Sequence, residues 1–99
     1  MKYRKKPVVI EAFQYIDSLD DAPKWVMDAY NDGILFFRSI SFDEPSCDLW
    51  IETLEGDMRC PVGNYIIRGL HGELYSCEPR IFKETYEKEL NNASKEKEY

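Results

Sequence analysis

The sequence predicts an α+β fold in a single domain: a mostly antiparallel, curved sheet of about five strands with two helices packed on it. Three observations lead there. Short stretches between residues 7 and 77 alternate apolar with polar side chains at the period of a strand. Two turn signals, Glu55-Gly56 and His71-Gly72, join neighbouring stretches too closely for anything but antiparallel hairpins. Only two segments, residues 22–31 and those from Pro79 onward, repeat apolar side chains at helical spacing. A chain of 99 residues, 43% hydrophobic and 14% aromatic, has the apolar mass for one core, which excludes a large multi-domain enzyme.

Pro7 to Tyr15 is apolar on both faces apart from Glu11 and Gln14, as in a strand covered on two sides. Asp17, Ser18, Asp20 and Asp21 offer capping side chains, and Pro23 suits a first helical turn, so a helix is expected from about Ala22. Trp25, Val26, Ala29 and Tyr30 form its apolar stripe, and Gly33 ends it. Ile34 to Phe42 reads as a second strand, with Ile34, Phe36, Ile40 and Phe42 on one face. Asp43 to Ser46, containing Pro45, is a loop. Cys47 to Leu54 and Asp57 to Cys60 then form a hairpin about Glu55-Gly56, a register that sets Glu52 opposite Arg59. After the turn cluster Pro61-Val62-Gly63-Asn64 comes the strand Tyr65 to Gly69, turned at His71-Gly72 into Glu73 to Cys77. Two consecutive hairpins imply a meander with Arg68 facing Tyr75, placed to stack the guanidinium on the ring. Pro79 opens a final helix whose stripe Phe82, Tyr86 and Leu90 docks on the sheet. The globular domain is expected over residues 1–90, with 91–99 a frayed polar tail.

Charge is unevenly placed. The first seven residues carry Lys2, Arg4, Lys5 and Lys6, whereas Val8 to Leu90 holds seven basic against seventeen acidic side chains, a net of −10 within a whole-chain charge of −6. Such a body repels phosphate, so duplex nucleic acid is a poor partner and a protein with a basic surface a better one. The densest acidic loop, with Asp43 and Glu44 followed by Asp48, is the candidate contact for that partner. No apolar run approaches the roughly 18 residues of a membrane span, and the basic start lacks a small-residue cleavage site, so neither a membrane partner nor secretion is expected.

Chemistry-bearing motifs are sparse. Nucleophile elbows, phosphate loops, dinucleotide fingerprints and H-E-x-x-H do not occur. Cys47, Cys60 and Cys77 are an odd, scattered set, which argues against disulfides or zinc and for small buried or half-buried hydrophobes in a reducing compartment. His71 reads as an exposed turn residue, and Cys77 across the same hairpin lacks any other base. No catalytic residue, metal or cofactor is expected. A second class of function uses Trp50, Arg59, Tyr65, Arg68, Tyr75 and Arg80, the arginines and aromatics available to take the phosphate and base of a nucleotide signal between protomers of a homo-oligomer.

The opening Tyr3-Arg4-Lys5-Lys6-Pro7-Val8-Val9-Ile10-Glu11-Ala12, the middle Ile51-Glu52-Thr53-Leu54-Glu55-Gly56-Asp57-Met58 and the block Gly63-Asn64-Tyr65-Ile66-Ile67-Arg68-Gly69 resemble a family of small bacteriophage and prophage proteins. The likeness continues through Gly72-Glu73, Tyr75, Cys77, Pro79, Phe82 and Thr85-Tyr86. Those relatives carry a P-G-D-Y-I-I-R-G block related to the PGDYG domain. Val62 and Asn64 depart from it, standing where the pattern has Pro and Asp. The resemblance implies the cytoplasm of an infected or lysogenic bacterium and a non-enzymatic binding protein, one that occupies a host or defence protein through its acidic surface. It leaves a minor virion or packaging component as an alternative.

Overall fold

The computed structural model describes residues 1–4, 8–39 and 47–87. Among these residues six strands and two helices follow one another as β1 (Glu11–Gln14), α1 (Lys24–Asn31), β2 (Leu35–Ser39), β3 (Cys47–Thr53), β4 (Gly56–Cys60), β5 (Tyr65–Arg68), β6 (Leu74–Cys77) and α2 (Pro79–Thr85). The fold is α+β and mostly sheet. Instead of one curved sheet of about five strands there are two antiparallel three-stranded sheets, ordered β1-β5-β6 and β2-β3-β4.

The division is made at the turn after β4. Gly63 N–H donates to Tyr15 O at 2.6 Å and Tyr15 N–H to Asn64 O at 2.9 Å, so the chain leaving β4 is captured by the end of β1 rather than by its own sheet. The two hairpins therefore belong to different sheets, and the meander is β2-β3-β4. Asn64 of the turn cluster donates through Nδ2 to Ser76 Oγ at 3.1 Å. Val26 and Ala29 of α1, Leu35, Leu49, Ile51 and Cys60 of one sheet and Ile66 and Leu74 of the other fill the space between, joined by Tyr15 and Leu19. The sheets meet where β6 lies against β3 and β4, and the outward N–H of Ser76 on β6 donates to Met58 Sδ of β4 at 3.1 Å.

Helix α1 starts two residues later than its acidic lead-in suggests. Pro23, which has no side-chain acceptor, occupies the N-cap, so no side chain caps the helix, and Ser18 Oγ accepts the N–H of Asp20 in a local turn upstream. At the other end Gly33 N–H donates to Tyr30 O and Ile34 N–H to Ala29 O, the paired bonds of a Schellman stop. β1 is shorter than the alternation from Pro7 to Tyr15, since its partner β5 ends at Arg68 opposite Glu11. The predicted positions Ile40 and Phe42, the loop at 43–46, Leu90 and the tail at 91–99 lie outside the described residues.

Both hairpin registers differ from expectation, for one reason each. Thr53 pairs with Gly56, so the first loop is Leu54-Glu55 and Gly56 (φ +117°) resumes the strand. Glu52 then faces Asp57, and Arg59 faces Trp50. In the second hairpin Gly69 N–H donates to Glu73 O, leaving a three-residue loop closed by Gly72 in the left-handed region (φ +83°). That shift of one residue pairs Arg68 with Leu74 and Ile67 with Tyr75, so Arg68 and Tyr75 lie on opposite faces of their sheet. Cys60 is buried and Cys77 half-buried, but Cys47, at the open end of β3, is exposed because no described neighbour covers it. Among the described residues no helix is long and apolar enough to cross a membrane.

Candidate functional site

Strand alternation gives the β2-β3-β4 sheet a second face, opposite the core, built from Phe36 and Arg38, then Asp48, Trp50 and Glu52, then Asp57 and Arg59. Trp50 sits at its centre, with Phe36 and Arg59 directly across the two neighbouring strands. The Arg38 guanidinium lies 3.8 Å from the centre of the Trp50 ring and 5.6 Å from that of Phe36, and its Nη1 donates to Asp57 Oδ2 at 3.2 Å. On the other side Asp48 Oδ2, shielded from solvent, meets Arg59 Nε as an ion pair rather than an aligned hydrogen bond. Glu52 and Asp57 face each other directly, a like-charge pairing that costs roughly 0.2–1 kcal/mol, and the Arg38 contact with Asp57 offsets part of it. Trp50 Nε1 is buried without an acceptor among the described residues.

Among the described residues this plate carries no imidazole, thiol or hydroxyl; its polar groups are carboxylates and two guanidiniums, each paired with a carboxylate of the same face. Its aromatic rings and charges are the groups it offers for stacking and ion pairing.

The remaining candidates lie elsewhere. Tyr65 and Tyr75 lie beneath α2, where Tyr65 stacks on Phe82 with centroids 3.8 Å apart and the Tyr75 hydroxyl lies 3.2 Å from that of Tyr86. Burial, followed by that hydrogen bond, pushes the Tyr75 phenol up to about 12. Arg68 donates to Glu11 Oε1 at 3.0 Å, and Arg80 is exposed on α2. Trp50 and Arg59 thus share one face, Tyr65 and Tyr75 another, and Arg68 and Arg80 belong to neither group. Asp48 is tied to Arg59, while Asp43 and Glu44 lie outside the described residues.

Phe36, Arg38, Glu52 and Asp57 are the members that residue-by-residue reading leaves out of the candidate site. The signal was present in the alternation of β2 against β3, which places Phe36 beside Trp50, but Asp57 comes opposite Glu52, and Arg59 opposite Trp50, only once the first hairpin turns at Leu54-Glu55.

An open groove of about 460 Å³ runs between α1 and the β5–β6 hairpin, past Lys24, Trp25, Asp28, Asp32 and Arg68. Both of its cations are engaged, Lys24 with Asp28 at 2.8 Å and Arg68 with Glu11. Burial pushes the Cys60 and Cys77 thiols up, away from thiolate. His71 is exposed in its turn and donates its backbone N–H to Glu73 Oε1 at 2.9 Å. Among the described residues no three His, Cys, Asp or Glu side chains are grouped to hold a metal ion. No family model matches the chain, and neither does any curated protein or solved structure.

Proposed function

We propose that this is a phage-encoded, non-enzymatic binding protein that acts in the bacterial cytoplasm by covering a basic surface of a host or defence protein. The phage setting comes from the sequence resemblance. The binding mode is supported by how charge is disposed on the folded chain. Of the six Lys and Arg side chains in residues 8–39 and 47–87, Lys24, Arg38, Arg59 and Arg68 are each paired with a carboxylate of the same molecule. Fourteen Asp and Glu occupy the same stretch, so ten carboxylates have no ion pair among the described residues, Asp17, Asp20, Asp21, Asp32, Glu52 and Glu55 among them. With Arg80 and Lys83 the two cations of that stretch outside these pairs, and ten carboxylates in surplus, the surface attracts a basic partner.

The same disposition disfavours nucleotide sequestration. Of the three arginines offered for phosphate, Arg59 and Arg68 are already ion-paired and lie on different sheets, while Arg80 is exposed on α2.

The test is affinity purification of the chain from infected cells, with mass spectrometry of both the protein and the small-molecule fractions. A protein partner whose association slows as salt rises, and slows again with Asp43→Lys/Glu44→Lys, is the expected result. A nucleotide in the small-molecule fraction, lost with Arg68→Ala or Tyr75→Ala and indifferent to the acidic reversals, overturns it.

A further inference from the structure

We propose that β1 is a self-association edge: two copies pair antiparallel through their β1 strands about a two-fold axis, joining their β1-β5-β6 sheets into one sheet of six strands. The hydrogen-bond parity of β1 leaves this edge open. Tyr15 exchanges main-chain bonds with the Gly63–Asn64 segment, so in an antiparallel ladder Phe13 and Glu11 also face β5. The N–H and C=O groups of Ala12 and Gln14 then point away from the sheet, and no described strand pairs with them. The opposite edge of this sheet is not equivalent, because β6 lies against the other sheet and its outward Ser76 N–H is taken by Met58.

The strand sequence also runs past its partner. Val8 and Val9 continue the apolar alternation of β1 beyond the end of β5 and are 42% and 69% exposed. Protective charge is missing from the strand itself, whose only ionised side chain, Glu11, is held by Arg68. An isologous pairing brings the N-terminal end of each β1 alongside the C-terminal end of the other. Those ends are complementary: exposed Lys2 and Arg4 precede the strand, and exposed Asp17, Asp20 and Asp21, none of them ion-paired among the described residues, follow it. A parallel arrangement would set like charges side by side. The chemistry therefore selects a second copy, antiparallel, as the occupant of this edge.

Light scattering on the eluting full-length chain tests this over a dilution series. The expected mass is twice the 11.7 kDa of one chain, falling toward 11.7 kDa on dilution and at high salt. Ala12→Pro removes an N–H that only the second copy uses, so it should give monomer while the melting temperature stays close to the parent. Should that variant misfold, charge reversal supplies the decision: Asp17→Lys/Asp20→Lys and Lys2→Glu/Arg4→Glu should each shift the protein to monomer, and combining all four should restore the dimer. Hydrogen exchange at Ala12 and Gln14 should slow with protein concentration. A parent that stays at 11.7 kDa, a dimer that survives folded Ala12→Pro, or four combined reversals that leave a monomer overturns the proposal.

Discussion

A phenol removed from water beside a second phenol holds its proton harder than a free one, and Tyr75 is in that position. Its ordinary value of 10 is raised to about 12 by burial and by the hydrogen bond with Tyr86. Because the folded value lies above the unfolded one, the stability this group contributes is fully present below pH 10 and is lost as the pH climbs from 10 to 12. The chain should therefore lose stability to denaturant across that window, and Tyr75→Phe should flatten the loss. An unchanged pH profile in Tyr75→Phe would assign the alkaline instability to another group. At the same scale the sequence was informative about residue type and silent about neighbours. Trp50 and Arg59 were both legible as candidates, and they do share a face. What decides their behaviour is Asp48 closing on Arg59 and Arg38 settling on Trp50, contacts made through side chains that alternation alone leaves unordered.

Among the elements, α2 depends most on contacts beyond itself. It spans seven residues with no buried side chain of its own, too short to persist as an isolated helix. It is held by the aromatic stripe foreseen in the sequence: Phe82 stacks on Tyr65 and tilts against Tyr86 at 5.2 Å. Phe82→Ala removes both contacts, and since the ring is half-buried the cost should be about 2 kcal/mol, below that of a fully buried Phe. Tyr65 fluorescence and the equilibrium unfolding midpoint would measure it. A loss under a few tenths of a kcal/mol would mean that α2 contributes nothing to the sheet beneath it. Element type was readable nearly throughout, because alternation and helical spacing are local. Register was not. Each hairpin loop offered adjacent choices of turn residue, and Gly56 and Gly72 settle them by the backbone angles they adopt. One residue of difference at the second loop was enough to send Arg68 and Tyr75 to opposite faces. The split into two sheets was likewise hidden, since it rests on Tyr15 bonding to Gly63 and Asn64 some fifty positions along the chain.

For the whole molecule the question is whether its acidity costs stability. Among the described residues, ten carboxylates without an ion pair repel one another across a small surface, while four exposed or half-exposed ion pairs each contribute only about 0–1 kcal/mol. Salt screens both, over roughly 8 Å at physiological ionic strength. Because the repelling charges outnumber the attracting pairs, screening should stabilise the fold on balance. Melting temperature should therefore rise with sodium chloride, by on the order of 4–8 °C for each kcal/mol of repulsion relieved in a domain this size. Chloride rather than sulfate is the salt to use, since sulfate strengthens apolar burial in its own right and would raise the midpoint whatever the charges do. Neutralising three of the unpaired acids, as in Asp20→Asn/Asp32→Asn/Glu52→Gln, should raise the low-salt melting temperature and reduce its salt dependence together. Glu52 is the most telling of the three, because it faces Asp57 directly across the β3–β4 hairpin and its repulsion is the least diluted by solvent-filled distance. A melting temperature that falls with sodium chloride would mean that the pairs of Arg38, Arg59 and Arg68 outweigh the surplus of negative charge, and the triple variant should then be no more stable than the parent.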